Sequence, residues 1–147
     1  MLAAIDPLQR RLHARVDAKV ARQPDEILQR LAQYRDARDL PPVVVVQTGE
    51  NGPLYADGVR ALRATLRGVP RVVLVTVRQP TVGWSDDTNE KLRELARVWP
   101  QARIADWHAA AGDAKLLWDS AHPNAAGAKV YARVVAEAIG LRRPARR

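Results

Sequence analysis

Apolar residues along this chain recur with two alternating periods. Residues 6–14 open with Asp6 before Pro7, an N-cap followed by proline at the first helical position. Leu8 and Leu12 fall four apart on one face, so a helix is predicted. A short strand is expected over 15–20, then a helix over 24–37 in which Ile27, Leu28, Leu31 and Tyr34 keep helical spacing. Pro41 and Pro42 close the connection. Val43 to Val46 form an unbroken β-branched run, the mark of a strand buried on both faces in a parallel sheet.

The same alternation continues to the end of the chain. A helix over 55–67 presents Val59, Leu62 and Leu66 and stops at Gly68, and a second buried strand covers 71–77. A loop over 78–87 leads to a helix ending at Arg97, with Leu92, Leu95 and Ala96 inward. A strand over 103–105 precedes a polar, tryptophan-bearing segment, and the last helix runs over 124–139 with Val130, Val134 and Ala138 on its face. Apolar strands separated by helices specify βαβ crossovers, hence an α/β fold: a three-layer α/β/α sandwich around a parallel sheet. Without repeats or a linker, one domain over 1–140 is expected, followed by a tail at 141–147.

Composition narrows the chemistry. The 147 residues include no cysteine, which excludes disulfides, thiolate metal sites and a cysteine nucleophile. The three histidines, His13, His108 and His122, have no metal-ligand spacing, and neither a metal nor another cofactor is expected. No apolar run reaches the roughly 18 residues of a membrane span, and the first residues do not read as a signal peptide. Twenty-four basic against 16 acidic residues give a net charge of +8, which suits a polyanionic partner. The arginines are spread along the chain and cluster only at Arg142, Arg143, Arg146 and Arg147, where a solvated basic tail is the simpler reading.

In such sheets the chemistry sits in loops after the carboxyl ends of the strands. Three polar loops occupy those places, at 21–24, 47–53 and 118–124. Asp119 and His122 lie three apart ahead of the last helix. In a turn, the carboxylate can accept a hydrogen bond from one imidazole nitrogen and leave the other as a general base. The same spacing is also common in capping and surface pairs. In the loop after Val46, Gly49 and Gly52 permit close backbone approach, and Asn51 offers an amide donor for an oxyanion. That loop can equally be a plain turn. A phosphate loop is absent, since neither Gly-Lys-Ser/Thr nor G-x-G-x-x-G occurs, which disfavours a nucleotide-binding flavodoxin-like domain.

Taken in order, these features resemble the SGNH hydrolase family, and most closely the extracytoplasmic SGNH domains of membrane-bound acyltransferases that O-acetylate peptidoglycan or lipopolysaccharide. A strand ending in Gly49-Glu50-Asn51-Gly52 and a late Asp119-x-x-His122 are similar to two of the family's blocks. Ala21-Arg22-Gln23, Trp84 with Asn89, Ile104 to Trp107, and Gly127 with Tyr131 match as well. The resemblance implies that His122 is the general base, Asp119 its orienting partner, and Asn51 an oxyanion-hole donor, with Gly49 and the backbone N–H of Ala21 beside it. It implies an acyl ester of cell-envelope polysaccharide as substrate and no specific nucleic acid as partner. A membrane acyltransferase domain in the parent protein, and a location outside the cytoplasmic membrane, would go with it.

The family's nucleophile is not found. Its Gly-Asp-Ser block has no counterpart, and the two serines, Ser85 and Ser120, stand in the wrong loop and between Asp119 and His122 respectively. By resemblance Met1 falls just past that block, so the first central strand is expected to be missing too. A start assigned too late in the gene accounts for this, as does a degenerate domain. The 147 residues are therefore expected to be inactive as an SGNH serine esterase or O-acyltransferase. A non-catalytic basic module holding an anionic glycan or nucleic acid is the alternative.

Overall fold

In the computed structural model, which describes residues 2–140, three strands form one parallel sheet in the order β1 (Val43–Gln47), β2 (Arg71–Val75), β3 (Ala102–Ala105). Sheet order follows chain order because each crossover is one helix: α3 (Ala56–Thr65) joins β1 to β2, and α4 (Ser85–Arg97) joins β2 to β3. The remaining helices are α1 (Ile5–Leu12), α2 (Pro24–Asp36), the short α5 (Trp107–Ala110) and α6 (Ala125–Ile139). The expected α/β architecture is present, and its fold class is that of the reading from sequence. The expected tail, with Arg142, Arg143, Arg146 and Arg147, lies outside the described residues.

β2 is apolar because both its faces are covered. Val73 and Val75 pack with Ala4, Leu8, Trp107, Tyr131 and Val135 on one side. Val72 and Leu74 pack with Leu54, Leu62, Leu66, Leu92 and Trp99 on the other. The four apolar β2 side chains, Val72 to Val75, are fully buried, each worth about 1.5–3 kcal/mol, while Arg71 at the start of the strand is exposed.

One expected strand does not form. Residues 15–20 make no ladder, although exposure alternates residue by residue from His13 to Lys19 as it would in a half-buried strand. A strand needs a partner, and no described strand lies beside this segment. β1 is accordingly an edge strand, with Val43 and Val45 still 37% and 38% exposed. The first helix also stops earlier than its pattern predicts, because His13 takes up the left-handed conformation (φ 50°) as its C-cap.

In place of a ladder, side chains tether the 15–23 segment to α2. The Asp17 carboxylate pairs with Arg30 at 2.6 Å and Arg22 at 2.8 Å, and accepts the Tyr34 hydroxyl at 2.7 Å. Those bonds, Arg30 first and then Tyr34, hold the Asp17 carboxyl well below the usual carboxylate range. A depressed carboxyl adds stability above its unfolded value of 3.8, and that stability is lost as pH falls further. Asp17→Asn should lower stability by about 1–2 kcal/mol at pH 7, after allowing for solvent screening. In thermal melts the gap between variant and wild type should narrow below about pH 4.

Candidate active site

The carboxyl ends of three parallel strands face one way, so the loops that follow them share one end of the sheet. The segment after β1 turns at Gly49, whose φ is +103°, where a Cβ would come within 2.6 Å of the Thr88 side chain. Both conformation and space therefore require glycine there. The carbonyl of Gly49 accepts the Trp84 indole N–H at 3.0 Å, and Asn89 bridges the backbone of Val77 through Val77 N–H at 2.7 Å and Val77 O at 2.9 Å. Trp84 thus ties the loop after β2 to the loop after β1, and Asn89 anchors the loop after β2 to α4.

Asn51 donates its amide to the Arg22 carbonyl at 3.3 Å. Gly52 comes so close to Gln23 that an added Cβ would lie 2.7 Å from its side-chain oxygen. The 47–53 and 21–24 loops are therefore neighbours. Ala21 holds φ 55°, a left-handed backbone that favours glycine and that an alanine side chain tolerates with strain.

The third loop is built around one carboxylate. Asp119 Oδ1 accepts the backbone N–H groups of Ala121 and His122, each at 2.8 Å, while Oδ2 lies 2.8 Å from His122 Nδ1. One oxygen folds the turn and the other orients the imidazole, leaving Nε2 outward. The His122 and Ala121 N–H groups, followed by the imidazole, hold the Asp119 carboxyl well below its ordinary range. Both side chains stay open to solvent, at 66% for His122 and 56% for Asp119. Exposed pairs of this kind add little to stability, so the pair's clearest physical effect is to fix the ring.

The turn is clamped at both ends. Trp118 N–H donates to the His122 carbonyl at 2.8 Å, and Leu117 pairs with Pro123 in an isolated bridge. Asn124 caps α6 by accepting the N–H groups of Ala126 and Gly127, each at 3.0 Å, and its amide donates to Lys115 O at 2.8 Å. A Cβ on Gly127 would lie 2.0 Å from the Leu116 carbonyl oxygen, so only glycine lets this loop cross the first turn of α6.

Glu50 lies within the Gly49–Gly52 motif, and the sequence assigned it no role. It is half-buried beside the same site, accepting the Gln47 side-chain amide and the Arg78 backbone N–H, with His122 close enough to lower its pKa. Burial outweighs these partners and raises the Glu50 carboxyl above its ordinary value. The buried Tyr131 hydroxyl donates to Gln47 Oε1 at 2.7 Å, completing a chain from α6 to the loop after β1. A buried polar partner at Gln47 gives the only sequence hint of this network, and it needs the fold to be seen.

His108 is not part of this cluster. It is half-buried, with Nδ1 2.9 Å from the Val77 carbonyl and its N–H donated to Thr76 Oγ1 at 2.9 Å. His13 is exposed. Ser85 begins α4 with its hydroxyl buried and without a partner, and no hydrogen bond joins Ser120 to the His122 ring among the described residues.

No family model matches this chain. A curated relative, YrhL of Bacillus subtilis (strain 168), a candidate peptidoglycan O-acetyltransferase, is 25% identical over 126 residues, covering 84% of this chain. The chain spans 20% of that relative's length. Among solved structures, a candidate GDSL-like lipase of Parabacteroides merdae matches with a TM-score of 0.69 at 16% identity, over 96% of this chain and 81% of that one. A catalytic mutant of an acetylxylan esterase of Geobacillus stearothermophilus matches with a TM-score of 0.68 at 20% identity, over 93% and 78%. The fold is that of the GDSL-like, or SGNH, hydrolases.

Gly127→Ala should disrupt the loop at 116–123 and destabilise the protein by about 2–3 kcal/mol. Near-ultraviolet dichroism together with thermal melting would check this. Unchanged melting would mean that the loop can give way without loss.

Proposed function

We propose that this SGNH-fold chain carries the proton-relay and oxyanion half of an acyl-transfer site acting on O-acylated polysaccharide of the cell envelope. The observation that carries the reading is the Asp119 carboxylate, which binds its own turn with one oxygen and His122 Nδ1 with the other. Held this way, His122 presents Nε2 as a general base. Asp119 fixes the tautomer and stabilises the imidazolium that forms when a hydroxyl gives up its proton.

The carbonyl oxygen of the ester gains negative charge as the hydroxyl adds. Asn51, the backbone N–H of Ala21 and the loop at Gly49 are the donors proposed to receive it. The arrangement supports this in that Asn51 and the 21–23 turn touch. The tetrahedral intermediate then collapses by breaking the bond to the sugar oxygen, which leaves with the proton from the His122 imidazolium, and the acyl group stays on the attacking hydroxyl, which neither Ser85 nor Ser120 supplies. His122 next takes a proton from water or a sugar hydroxyl, which accepts the acyl group and frees that hydroxyl, giving esterase or transferase chemistry from one geometry. The names of the relatives, an acetylxylan esterase and a candidate peptidoglycan O-acetyltransferase, support the ester and glycan classes. With such relatives, a membrane acyltransferase domain as partner and a site outside the cytoplasmic membrane belong to the same proposal. In the described residues no helix is long and apolar enough to cross a membrane.

Neither Ser85 nor Ser120 is placed to be the nucleophile, so we propose that the 147 residues by themselves do not turn over acyl esters. Purified 1–147 should release no acetate from O-acetylated xylan or peptidoglycan above a His122→Ala control. The protein isolated from its native source, with whatever further sequence it carries there, should release acetate and lose at least about 10³-fold in kcat on His122→Ala. Acetate release that is insensitive to both His122→Ala and Asn51→Ala would overturn the reading.

A second reading is favoured by one surface. Arg60 and Arg63 on α3 and Arg67 just beyond its end line a groove of about 440 Å³ at the opposite end of the sheet, without an ion-pair partner among the described residues. A binding module for anionic glycan would use it. Binding would then weaken steeply with salt and ignore Asn51→Ala and His122→Ala.

A further inference from the structure

Trp118 is the residue before Asp119, and it is 78% exposed. The other tryptophans are enclosed to differing degrees: Trp99 and Trp107 are buried and Trp84 is half-buried with its indole N–H on Gly49 O. Leaving a ring of this size in water forgoes a large favourable burial. The backbone beneath it is fixed, since the Trp118 N–H is held by the His122 carbonyl and the next residue back, Leu117, is buried and paired with Pro123. The ring is thus displayed on a clamped turn, within four residues of the proposed base. Among the described residues, the only other aromatic side chain so exposed is Tyr55, at 66%, just after the Asn51 loop.

We propose that Trp118 is the platform on which a pyranose ring of the substrate stacks, setting the ester over His122. This rests on the acyl-transfer reading and adds a specificity-determining residue to it. The chemistry selects the ligand. An indole has an apolar face and one N–H donor at its rim, and the indole N–H of Trp118, unlike its backbone N–H, has no partner among the described residues. A pyranose has an apolar C–H face bordered by hydroxyl groups, so it satisfies face and rim together. An acyl chain would cover the face and leave the N–H unpaired at the contact. The open setting fits as well: a base whose side chain is 66% exposed can be reached by a sugar within a long polymer.

The unreactive 147-residue chain permits a direct binding test, with 6-O-acetylated chitohexaose as the probe and decanoate as the acyl-chain comparison. Because Trp118 is the fully exposed tryptophan, stacking should shift tryptophan emission to the blue and quench it, saturably, with chitohexaose. In calorimetry Trp118→Ala should weaken chitohexaose binding about tenfold, with Trp118→Phe intermediate and His122→Ala close to wild type. Unchanged affinity in Trp118→Ala, or an emission shift with decanoate and none with chitohexaose, would overturn the proposal. Melting curves for each variant establish that it is folded. The binding result does not depend on turnover. Sugar binding through Trp118, joined to His122-independent acetate release by the native protein, would overturn the acyl-transfer reading and with it the placing of the ester over His122, leaving only the sugar contact of Trp118; loss of sugar binding with His122-dependent release would overturn the Trp118 proposal alone.

Discussion

The site's position follows from burying β2 on both faces. Its four valine and leucine side chains divide between two clusters, so helices must cover the sheet above and below, and each crossover must run as a helix from one strand to the next. Parallel strands joined in this manner send all their carboxyl ends in one direction. The loops after β1 and β2 are thereby brought to one end of the sheet. The 21–24 turn, which follows no strand, is held there by Asn51 on the Arg22 carbonyl, and α6, the helix after the 118–124 loop, is joined to the same end by Tyr131 on Gln47.

Those ties are local and specific. Trp84 fastens the loop after β2 to its neighbour while Asn89 holds that loop to α4, Asn51 holds the 21–23 turn, and Tyr131 reaches from α6 to Gln47 and so to Glu50. Asp119 does two jobs with two oxygens, folding its turn and aiming the imidazole. Gly127 permits the close crossing that sets this turn on α6. A polar site on an open surface is kept in place by these contacts, since exposed ion pairs alone would not order it.

Much of this was legible in the sequence because it depends on short-range patterns. The valine runs at 43–46 and 71–75 identify two strands, of which only the second is covered on both sides, since Val43 and Val45 stay exposed at the sheet edge. Asp6, expected as an N-cap, falls instead in the first turn of α1, whose cap is Ala4, while Asp119-x-x-His122 is a three-residue spacing that a turn closes. The segment 15–20 shows the limit of pattern: it alternates as a strand would, but a ladder needs a neighbour that periodicity cannot supply. Glu50, His108 and the Gly127 crossing escaped for a related reason. Each takes its character from a contact that the fold makes: the Gln47 that bonds Glu50 is itself held by Tyr131 of α6, His108 lies against Val77, and Gly127 against Leu116.

The most direct test of the central claim is the protonation of the His122 ring, read by nitrogen-15 NMR in the neutral imidazole. A proton on Nδ1, donated to Asp119, with Nε2 free is the predicted result, and Asp119→Asn should abolish the preference. A ring protonated on Nε2, or one mixing both tautomers equally in wild type and Asp119→Asn, would contradict the assignment of His122 as an oriented base.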